Sequence, residues 1–388
     1  MSDMWALTFD RSREDWNEST GLVKERVPLP VLDHAPEAGD HSQVIVRVKH
    51  AGFCGSDRSI WWRKAFGDTI LGSLDQDGVD RRVVGHEFVG EIVEVGSRVT
   101  AKYGYRPGDI VSTESHIVCG TCTQCRVGQQ HVCANTRIIG FSTDGAFAEY
   151  IKLPAKALWP TDLDRIRPEV AAVQEPFGNA VHACQVADLR GKTVAILGTG
   201  TIGLFAVLIA KAMGARQVIG VEPDPYHRDM ASRLGADAVI SPSGLHPTEP
   251  WRSDPAVIAG VLERTEGMGV DVAMEMAGLN ASVNNALKIV RPGGQVVLFG
   301  IRAGNMVLED ADKVVLNGLQ LHGVVGRQLF ETWEMTRALL EADNGIQDAI
   351  YNVILNRGEG SMVHISDWQK DSFEKVITSF PKPIISFV

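Results

Sequence analysis

The sequence predicts an α/β protein in two parts, one mainly β and the other a doubly wound parallel sheet of six strands. The alternating run 43–48 is typical of an antiparallel strand with one buried face. From Lys192 onward, buried apolar strands alternate with apolar helices, which is typical of a parallel sheet. A chain of 388 residues is also long for one hydrophobic core, which favours two domains.

The composition excludes several classes of partner. The chain has 38 Lys and Arg residues against 48 Asp and Glu residues, a net charge of −10, and no basic tract that could neutralise a row of phosphates. We therefore expect no nucleic-acid partner. Residues 1–13 have no apolar segment behind a basic start, and no stretch approaches about 18 consecutive apolar residues. We expect a cytoplasmic protein with no membrane partner.

A histidine and a glutamate stand side by side between glycines in the stretch 84–90. Neighbouring side chains face one ion only where the backbone turns, and the flanking glycines permit such a turn. Together with Cys54, which lies in the glycine-bracketed turn 52–57, His86 and Glu87 make a thiolate, imidazole and carboxylate set that suits catalytic zinc. The alternative for Cys54 is a buried thiol that packs as a small hydrophobic side chain.

Four of the six cysteines lie close together in the sequence. In a chain that is not exported, this spacing indicates metal binding rather than disulfides. A tetrahedral site made only of thiolates leaves no position for substrate, so we expect a structural zinc. An iron–sulfur cluster is the alternative. The four candidate ligands are Cys119, Cys122, Cys125 and Cys133.

A glycine-rich motif connects the predicted strand 193–197 to the apolar helix 204–213. This context makes the motif a dinucleotide fingerprint, in which the glycines let the backbone approach the pyrophosphate at the helix N-terminus. Further strands are predicted at 270–275 and 294–300. The motif is Gly198-Thr199-Gly200-Thr201-Ile202-Gly203.

The strand 217–221 ends in Glu222, in the position that contacts the adenosine ribose in such folds. Its carboxylate would accept hydrogen bonds from both ribose hydroxyls, and its negative charge would repel a 2′-phosphate. NAD is therefore favoured over NADP. Arg228 could weaken this preference, because it could pair with a phosphate.

The spacing of Gly85, His86, Glu87, Gly90, Gly96 and Val99 resembles the zinc signature of the medium-chain alcohol dehydrogenases, and the resemblance extends over nearly the whole chain. It implies a GroES-like catalytic domain at 1–178, with a structural zinc lobe at about 116–136, and a Rossmann NAD-binding domain at 179–313. Residues 314–388 would return to the catalytic domain. The resemblance further implies two Zn²⁺ per chain, NAD, a small-molecule alcohol substrate and a homotetramer, or else a dimer.

The resemblance also assigns roles within the site. Cys54, His86 and Glu87 would hold a zinc ion that acts as a Lewis acid on the substrate hydroxyl, and Ser56 would take its proton. Glu175 would be a further ligand or would exchange with water; the alternative is a carboxylate stabilised at a helix start. In the second place of the family's proton relay this chain has Ser59. Additional cofactor contacts are implied for Gly300 and Gly326.

Three blocks, 115–120, 175–182 and 326–333, are most similar to the L-threonine 3-dehydrogenase branch of this family. That branch oxidises a secondary hydroxyl beside an amino acid centre, giving 2-amino-3-oxobutanoate from L-threonine. The turn that begins at Cys54 is also similar to polyol and sugar dehydrogenases, and the connection between Cys54 and His86 is longer than threonine dehydrogenases usually have. Within it, we expect residues 60–82 to be long, irregular and charged. Candidate partners for a substrate carboxylate are Arg58, Arg63 and Arg327.

Two classes of protein without this chemistry remain as alternatives. A zinc-free reductase would share the fold but would lack the metal ligands, all three of which are present. A non-catalytic zinc- and nucleotide-binding relative is the other, and such a protein would also tend to have lost these ligands.

Overall fold

The computed structural model describes residues 3–35, 37–302 and 304–388. The chain forms two compact units, the first of Met1–Pro176 with Ile350–Val388 and the second of Phe177–Ala349. No helix among the described residues is long and apolar enough to cross a membrane.

The strands are β1 (Asp3–Asp10), β2 (Val23–Pro28), β3 (Gln43–Gly52), β4 (Arg81–Val83), β5 (Glu87–Val95), β6 (Ile110–Thr113), β7 (His116–Ile117), β8 (Arg137–Ile138), β9 (Tyr150–Pro154), β10 (Leu158–Pro160), β11 (Thr193–Leu197), β12 (Gln217–Val221), β13 (Ala238–Ile240), β14 (Val270–Glu275), β15 (Val290–Leu298), β16 (Gln320–Gly323), β17 (Met362–His364) and β18 (Ile384–Ser386).

The helices are α1 (Gly55–Trp61), α2 (Gly67–Asp77), α3 (Val99–Tyr103), α4 (Thr123–Arg126), α5 (Pro168–Ala171), α6 (Gln174–Gln185), α7 (Thr201–Ala212), α8 (Pro225–Arg233), α9 (Pro255–Arg264), α10 (Asn280–Ile289), α11 (Asp312–Leu316), α12 (Glu331–Glu341), α13 (Ile346–Ala349) and α14 (Lys370–Ser379).

The first unit is built on a seven-stranded sheet in the order β10-β6-β5-β3-β18-β17, with β9 paired to β3. Its central strand is β3, the alternating run found in the sequence, which pairs antiparallel with β5, β9 and β18. The three-stranded sheet β2-β1-β4 and the β7-β8 pair complete the strands of this unit. Since aromatic side chains carry much buried area, the stacked rings of Phe53 and Phe147, both fully buried, contribute strongly to its core. The predicted mainly β part is confirmed.

The connection between Cys54 and β4 is more regular than the sequence suggested. We expected residues 60–82 to be long, irregular and charged, but α2 occupies much of this segment. Ile70 and Leu74, one helical turn apart, are both fully buried, because the helix places them on one face. The charged residues around them concealed this short apolar stripe in the sequence.

The second unit contains a parallel sheet of six strands in the order β13-β12-β11-β14-β15-β16. The order reverses beside β11, so that helices cover both faces, as in a doubly wound Rossmann fold. Its strands are short apolar runs that are buried because both faces of the sheet are covered; all five residues of β11, for example, are buried. The predicted six-stranded sheet is confirmed.

The place where the chain leaves the second unit differs from our expectation. We predicted a return to the catalytic domain near residue 314, yet β16 pairs parallel with β15, Leu321 lying opposite Val296. Residues 314–349 therefore belong to the second unit, and the first unit resumes at Ile350. A short edge strand has the same alternating pattern in either sheet, so the sequence did not distinguish between the two. The first boundary, predicted at 178, lies after Pro176.

Candidate metal centre and cofactor site

The ends of two neighbouring strands bring the predicted metal ligands together. Gly52, the last residue of β3, lies opposite Glu87, the first residue of β5. Cys54 follows β3 after one further residue, and His86 immediately precedes β5. One ligand atom from each of Cys54, His86 and Glu87 lies within 4.8 Å of the other two. The three residues predicted from the sequence therefore converge at one place in the first unit.

The turn that carries His86 requires a glycine. Gly85 has φ +93°, in the left-handed region that side chains rarely adopt, and a Cβ there would lie 2.4 Å from the ring of Phe147. The carbonyl of Gly85 accepts a hydrogen bond from Ala146 N at 2.8 Å, which fixes the turn from the other side. The backbone turn thus directs the imidazole of His86 towards the other ligands, while Glu87 begins β5.

His86 is buried and lies beside a second carboxylate, that of Asp57. The distance from His86 Nδ1 to Asp57 Oδ1 is 3.5 Å, and Asp57 Oδ2 accepts from Cys54 N at 2.9 Å. Burial acts to lower the pKa of His86, but the negative charge of Asp57 and hydrogen bonding to Asp57 and Cys54 raise it well above its usual value. A carboxylate on the Nδ1 side of a histidine leaves Nε2 for a metal.

Glu87 is held by a buried lysine. Nζ of Lys382 donates to both carboxylate oxygens of Glu87, at 2.9 and 2.7 Å, and both side chains are almost completely inaccessible to solvent. Burial raises the pKa of Glu87, and the charge of Lys382 opposes that rise. This ion pair uses both carboxylate oxygens and compensates the charge of Glu87. The side chain nevertheless lies within reach of the metal position.

Glu175, Ser56 and Ser59 lie in different environments. Glu175 is buried near the start of α6 and accepts a hydrogen bond from Ser115 Oγ at 2.6 Å. It is not part of the described three-residue group, although its charge raises the pKa of Glu87. Ser56 is partly exposed on α1. Ser59 Oγ donates to Gly55 O at 3.2 Å within the same helix, so this hydroxyl is used locally.

The donor set fits zinc. Thiolate sulfur, imidazole nitrogen and carboxylate oxygen are the ligand types that Zn²⁺ binds, and a catalytic site has three protein ligands with one open position. Cys54 and His86 would hold the ion, and either Glu87 or Glu175 would supply the third protein ligand.

A second group of possible ligands consists of the four clustered cysteines, whose sulfur atoms all lie within 4.8 Å of one another. Backbone N–H groups of Thr121 and Cys122 donate to the sulfur of Cys119 and lower the pKa of this thiol to about 5. N–H donors that stabilise a thiolate prepare the lobe for a cation. Cys133 accepts in the same way from Cys119 N and Asn135 N.

The second unit contains the predicted glycine-rich turn between β11 and α7. Gly200 is the residue before α7, and a Cβ there would meet no other atom, which leaves room for a phosphate. A Cβ on Gly203 would lie 2.0 Å from Gly198 O, so close packing requires glycine at that position. Ile202 lies in the first turn of α7 and is partly exposed. Gly198 and Gly200 also line a cavity of about 440 Å³.

Glu222 lies at the same cavity, directly after β12. Its carboxylate accepts from the N–H groups of Thr199 at 2.8 Å and Asp224 at 3.0 Å, which fixes its orientation. Arg228 donates instead to the carbonyls of Glu222 and Pro223 and to Ser241 Oγ. The guanidinium group of Arg228 is thus held by acceptors of the protein itself, beside Glu222.

The two remaining predicted cofactor glycines have structural contacts. A Cβ on Gly300 would lie 2.1 Å from Gly278 N. Gly326 has φ +58°, and its carbonyl accepts a hydrogen bond from His182 Nδ1 at 2.9 Å. Close packing at Gly300 and the left-handed backbone at Gly326 therefore each favour glycine.

Two family models match the chain, the alcohol dehydrogenase GroES-like domain at residues 40–163 and the zinc-binding dehydrogenase at 201–342. The L-threonine 3-dehydrogenase of Caldanaerobacter subterraneus subsp. tengcongensis is 36% identical over 84% of this chain and 85% of its own. That of Pyrococcus horikoshii is 38% identical over 83% of this chain and 84% of its own. This chain belongs to the zinc-binding alcohol dehydrogenase family. The solved alcohol dehydrogenase TADH from Thermus sp. ATN1 is 25% identical, with a TM-score of 0.79 over 99% of each chain.

The protein is accordingly an oxidoreductase that acts on the CH–OH group of an alcohol, with zinc and a nicotinamide cofactor. This excludes the zinc-free reductase and the non-catalytic relative considered above.

The three arginines considered for a substrate carboxylate have protein partners in this dehydrogenase. Arg58 donates to three backbone carbonyls of the C-terminal segment. Arg63 donates to Glu14, Ser19 and a backbone carbonyl and lies over the rings of Phe9 and Trp16. Arg327 is completely buried in the second unit, where it donates to Asn179.

Sequence reasoning missed two residues of this dehydrogenase site. Asp57 follows Ser56 directly and could have been found as a carboxylate in the same turn as Cys54. Lys382 had no comparable signal, because it lies 295 residues from Glu87 in the chain.

Proposed function

We propose that this dehydrogenase oxidises the secondary hydroxyl of L-threonine to give 2-amino-3-oxobutanoate, with hydride transfer to NAD. The convergence of Cys54, His86 and Glu87 in one buried group is the observation that carries the zinc chemistry. The substrate assignment is supported by the identity to relatives named L-threonine 3-dehydrogenase over most of the chain.

In the proposed mechanism, Cys54 and His86 would hold the zinc ion, and Asp57 orients the imidazole. When bound there, zinc would supply Lewis-acid chemistry, which lowers the pKa of a hydroxyl towards neutrality. Ser56 receives the proton of the substrate hydroxyl and passes it to solvent, because the hydroxyl of Ser59 donates within its own helix. The glycine turn and Glu222 would hold NAD, the group that would accept the hydride.

A polyol or sugar dehydrogenase is the second candidate, and a specific observation favours it. Binding an amino acid requires a cation for its carboxylate, yet Arg58, Arg63 and Arg327 all donate to protein groups. A polyol requires no such cation.

Initial rates with NAD and NADP, measured against L-threonine, sorbitol, myo-inositol and glucose, separate the two candidates. We expect L-threonine to give the highest kcat/KM. A rate with sorbitol or another polyol, while L-threonine is inert, would overturn the threonine assignment and leave the zinc mechanism intact.

Changing Glu222 to Gln should reduce the preference for NAD. Charged hydrogen bonds contribute about 1.5–3 kcal/mol, so kcat/KM with NAD should fall by about 10- to 100-fold. With NADP the fall should be much smaller, because the charge that repels a 2′-phosphate is gone. Steady-state kinetics with both cofactors measures the ratio. Asp229→Asn, an exposed acid on α8 paired with Arg233, makes the same charge change and should leave the ratio unaltered. An unchanged ratio in Glu222→Gln would contradict the ribose role.

We also propose that the protein is a homo-oligomer, a tetramer or else a dimer, in the cytoplasm. The edge strand β16 and α11 before it carry apolar side chains in solvent, among them Val315 at 80% and Leu316 at 76% exposure. Exposed apolar groups beside an unpaired strand edge are typical of surfaces that pair with another chain. Light scattering on the purified protein tests this; a monomer would contradict it.

A further inference from the structure

Arg58 makes a set of contacts that no substrate role explains. Its guanidinium group donates to Ile377 O at 2.9 Å, Phe380 O at 2.6 Å and Pro381 O at 2.9 Å. These carbonyls belong to the end of α14 and the residues after it, where helix carbonyls have no intrahelical partner and attract cations. One side chain therefore fixes the course of the chain as it leaves α14.

The residues fixed in this way lead directly to Lys382. We call residues 380–384 the strap. Beyond Lys382, Pro383 O accepts from Phe53 N at 2.8 Å, and Ile384 pairs with Gly52 of β3. The strap is thus bound by Arg58 on one side of Lys382 and by the β3 end on the other. These contacts on both sides place the ammonium group of Lys382 where it donates to both oxygens of Glu87.

The same short helix serves both the strap and the metal ligands. Cys54 is the residue before α1, Asp57 in its first turn faces His86, and Arg58 follows. Burial lowers the pKa of Arg58, while the charges of Cys54, Glu87 and Asp57 raise it, so its charge lies within electrostatic range of the metal group. Two neighbouring residues of α1 therefore contact different parts of the unit: Asp57 lies beside the imidazole of His86, and Arg58 donates to the carbonyls that fix the strap.

We propose that Arg58 is a positioning residue of the zinc site, which acts by fixing the strap so that Lys382 keeps Glu87 paired and off the metal and leaves the third ligand position to Glu175. The inference rests on the proposed zinc at Cys54 and His86. Without Arg58, three carbonyls lose their donor, and Lys382 is no longer held in place. Glu87, already within 4.8 Å of the other ligand atoms, then turns to the metal and occupies the position that substrate requires.

Cobalt in place of zinc provides the test, since the visible bands of four-coordinate cobalt shift when a carboxylate replaces water among its ligands. Difference spectra against the His86→Ala variant remove the contribution of the four-cysteine site. We expect Arg58→Met and Lys382→Met to shift the visible bands in the same way, and kcat to fall by about 10- to 100-fold, as is typical for residues that support metal ligands. Arg58→Lys, which keeps the charge but reaches fewer carbonyls, should lie between Arg58→Met and the unaltered protein.

The double variant Arg58→Met/Lys382→Met decides whether one residue acts through the other. Its spectrum and kcat should match those of Lys382→Met alone, because Arg58 has no other route to Glu87 in this proposal. Additive effects of the two changes would overturn the proposal, as would an Arg58→Met spectrum equal to that of the unaltered protein. If Arg58→Met does not fold, Arg58→Lys in both backgrounds gives the same comparison.

Arg63→Met is the matched control, because this arginine is also buried in the first unit and donates to Glu14 and Ser19 far along the chain from the strap. It should lower the melting temperature without changing the cobalt bands; a change there would mean that general loosening explains the Arg58 result. If the unaltered protein has no bands beyond those of His86→Ala, the proposed zinc site itself fails, which is a different outcome from failure of the Arg58 role.

Discussion

Replacing His86 with alanine should lower kcat/KM by at least about 1,000-fold, because the Lewis-acid contribution is several kcal/mol and each 1.36 kcal/mol is a factor of ten. The zinc content should fall from two ions per chain to one. The imidazole is the ligand that the Gly85 turn directs, and Asp57 faces its Nδ1 at 3.5 Å. Alanine leaves Cys54 with carboxylates alone, a set that binds zinc much less tightly.

Metal analysis and steady-state kinetics on the same preparation provide the measurement. The matched control is His50→Asn, since His50 is another buried histidine of the first unit and lies within β3, outside the ligand group. It should keep both zinc ions. If His86→Ala still contained two zinc ions and turned over substrate normally, catalytic zinc at this position would be ruled out.

Replacing Cys133 with serine should remove the other zinc ion and lower the melting temperature by about 10 °C or more, because structural zinc contributes many kcal/mol to folding. The lobe between β7 and β8 has little core of its own: α4 has four residues, and its only buried one is Cys125. Without metal, nothing of similar strength orders this lobe. Limited proteolysis should then cut within residues 118–136, which the intact lobe resists.

Cys184→Ala is the matched control for this experiment. Cys184 is a completely buried thiol in the second unit, where burial raises its pKa, and it is not part of either described ligand group. This variant should keep two zinc ions and lose about 1 kcal/mol, as is common for a small core substitution. A Cys133→Ser protein with full zinc content and an unchanged melting temperature would disprove the structural role.

The parts of the fold that the sequence predicted correctly are those with a local signal. The alternation in 43–48 identified β3, and the glycine motif between strand and helix identified the start of the second unit. Cys54 and the His86–Glu87 pair were each recognised from residue types and glycine turns, although only the pairing of β3 with β5 brings them together. Each of these signals depends on neighbours within a few positions, which periodicity and turn chemistry describe directly.

The parts that sequence reasoning missed depend on contacts between distant segments. Whether residues 320–323 join one sheet or the other is decided by hydrogen bonds to β15, not by their own pattern. The partner of Glu87 is a lysine in the segment Phe380-Pro381-Lys382-Pro383, where nothing local suggests burial. Arg58 was considered only as a partner for a substrate carboxylate, for the same reason. Its three acceptors are more than 300 residues away.

The split of the first unit into Met1–Pro176 and Ile350–Val388 has a consequence for how this protein is made. On a ribosome, the second unit emerges as one uninterrupted segment and can fold before β18 emerges. The sheet of the first unit cannot be completed until β18 has emerged. The negative charge of Glu87 is likewise not compensated by Lys382 until that residue has left the exit tunnel. Newly made chains therefore complete the metal-binding unit after the cofactor-binding unit.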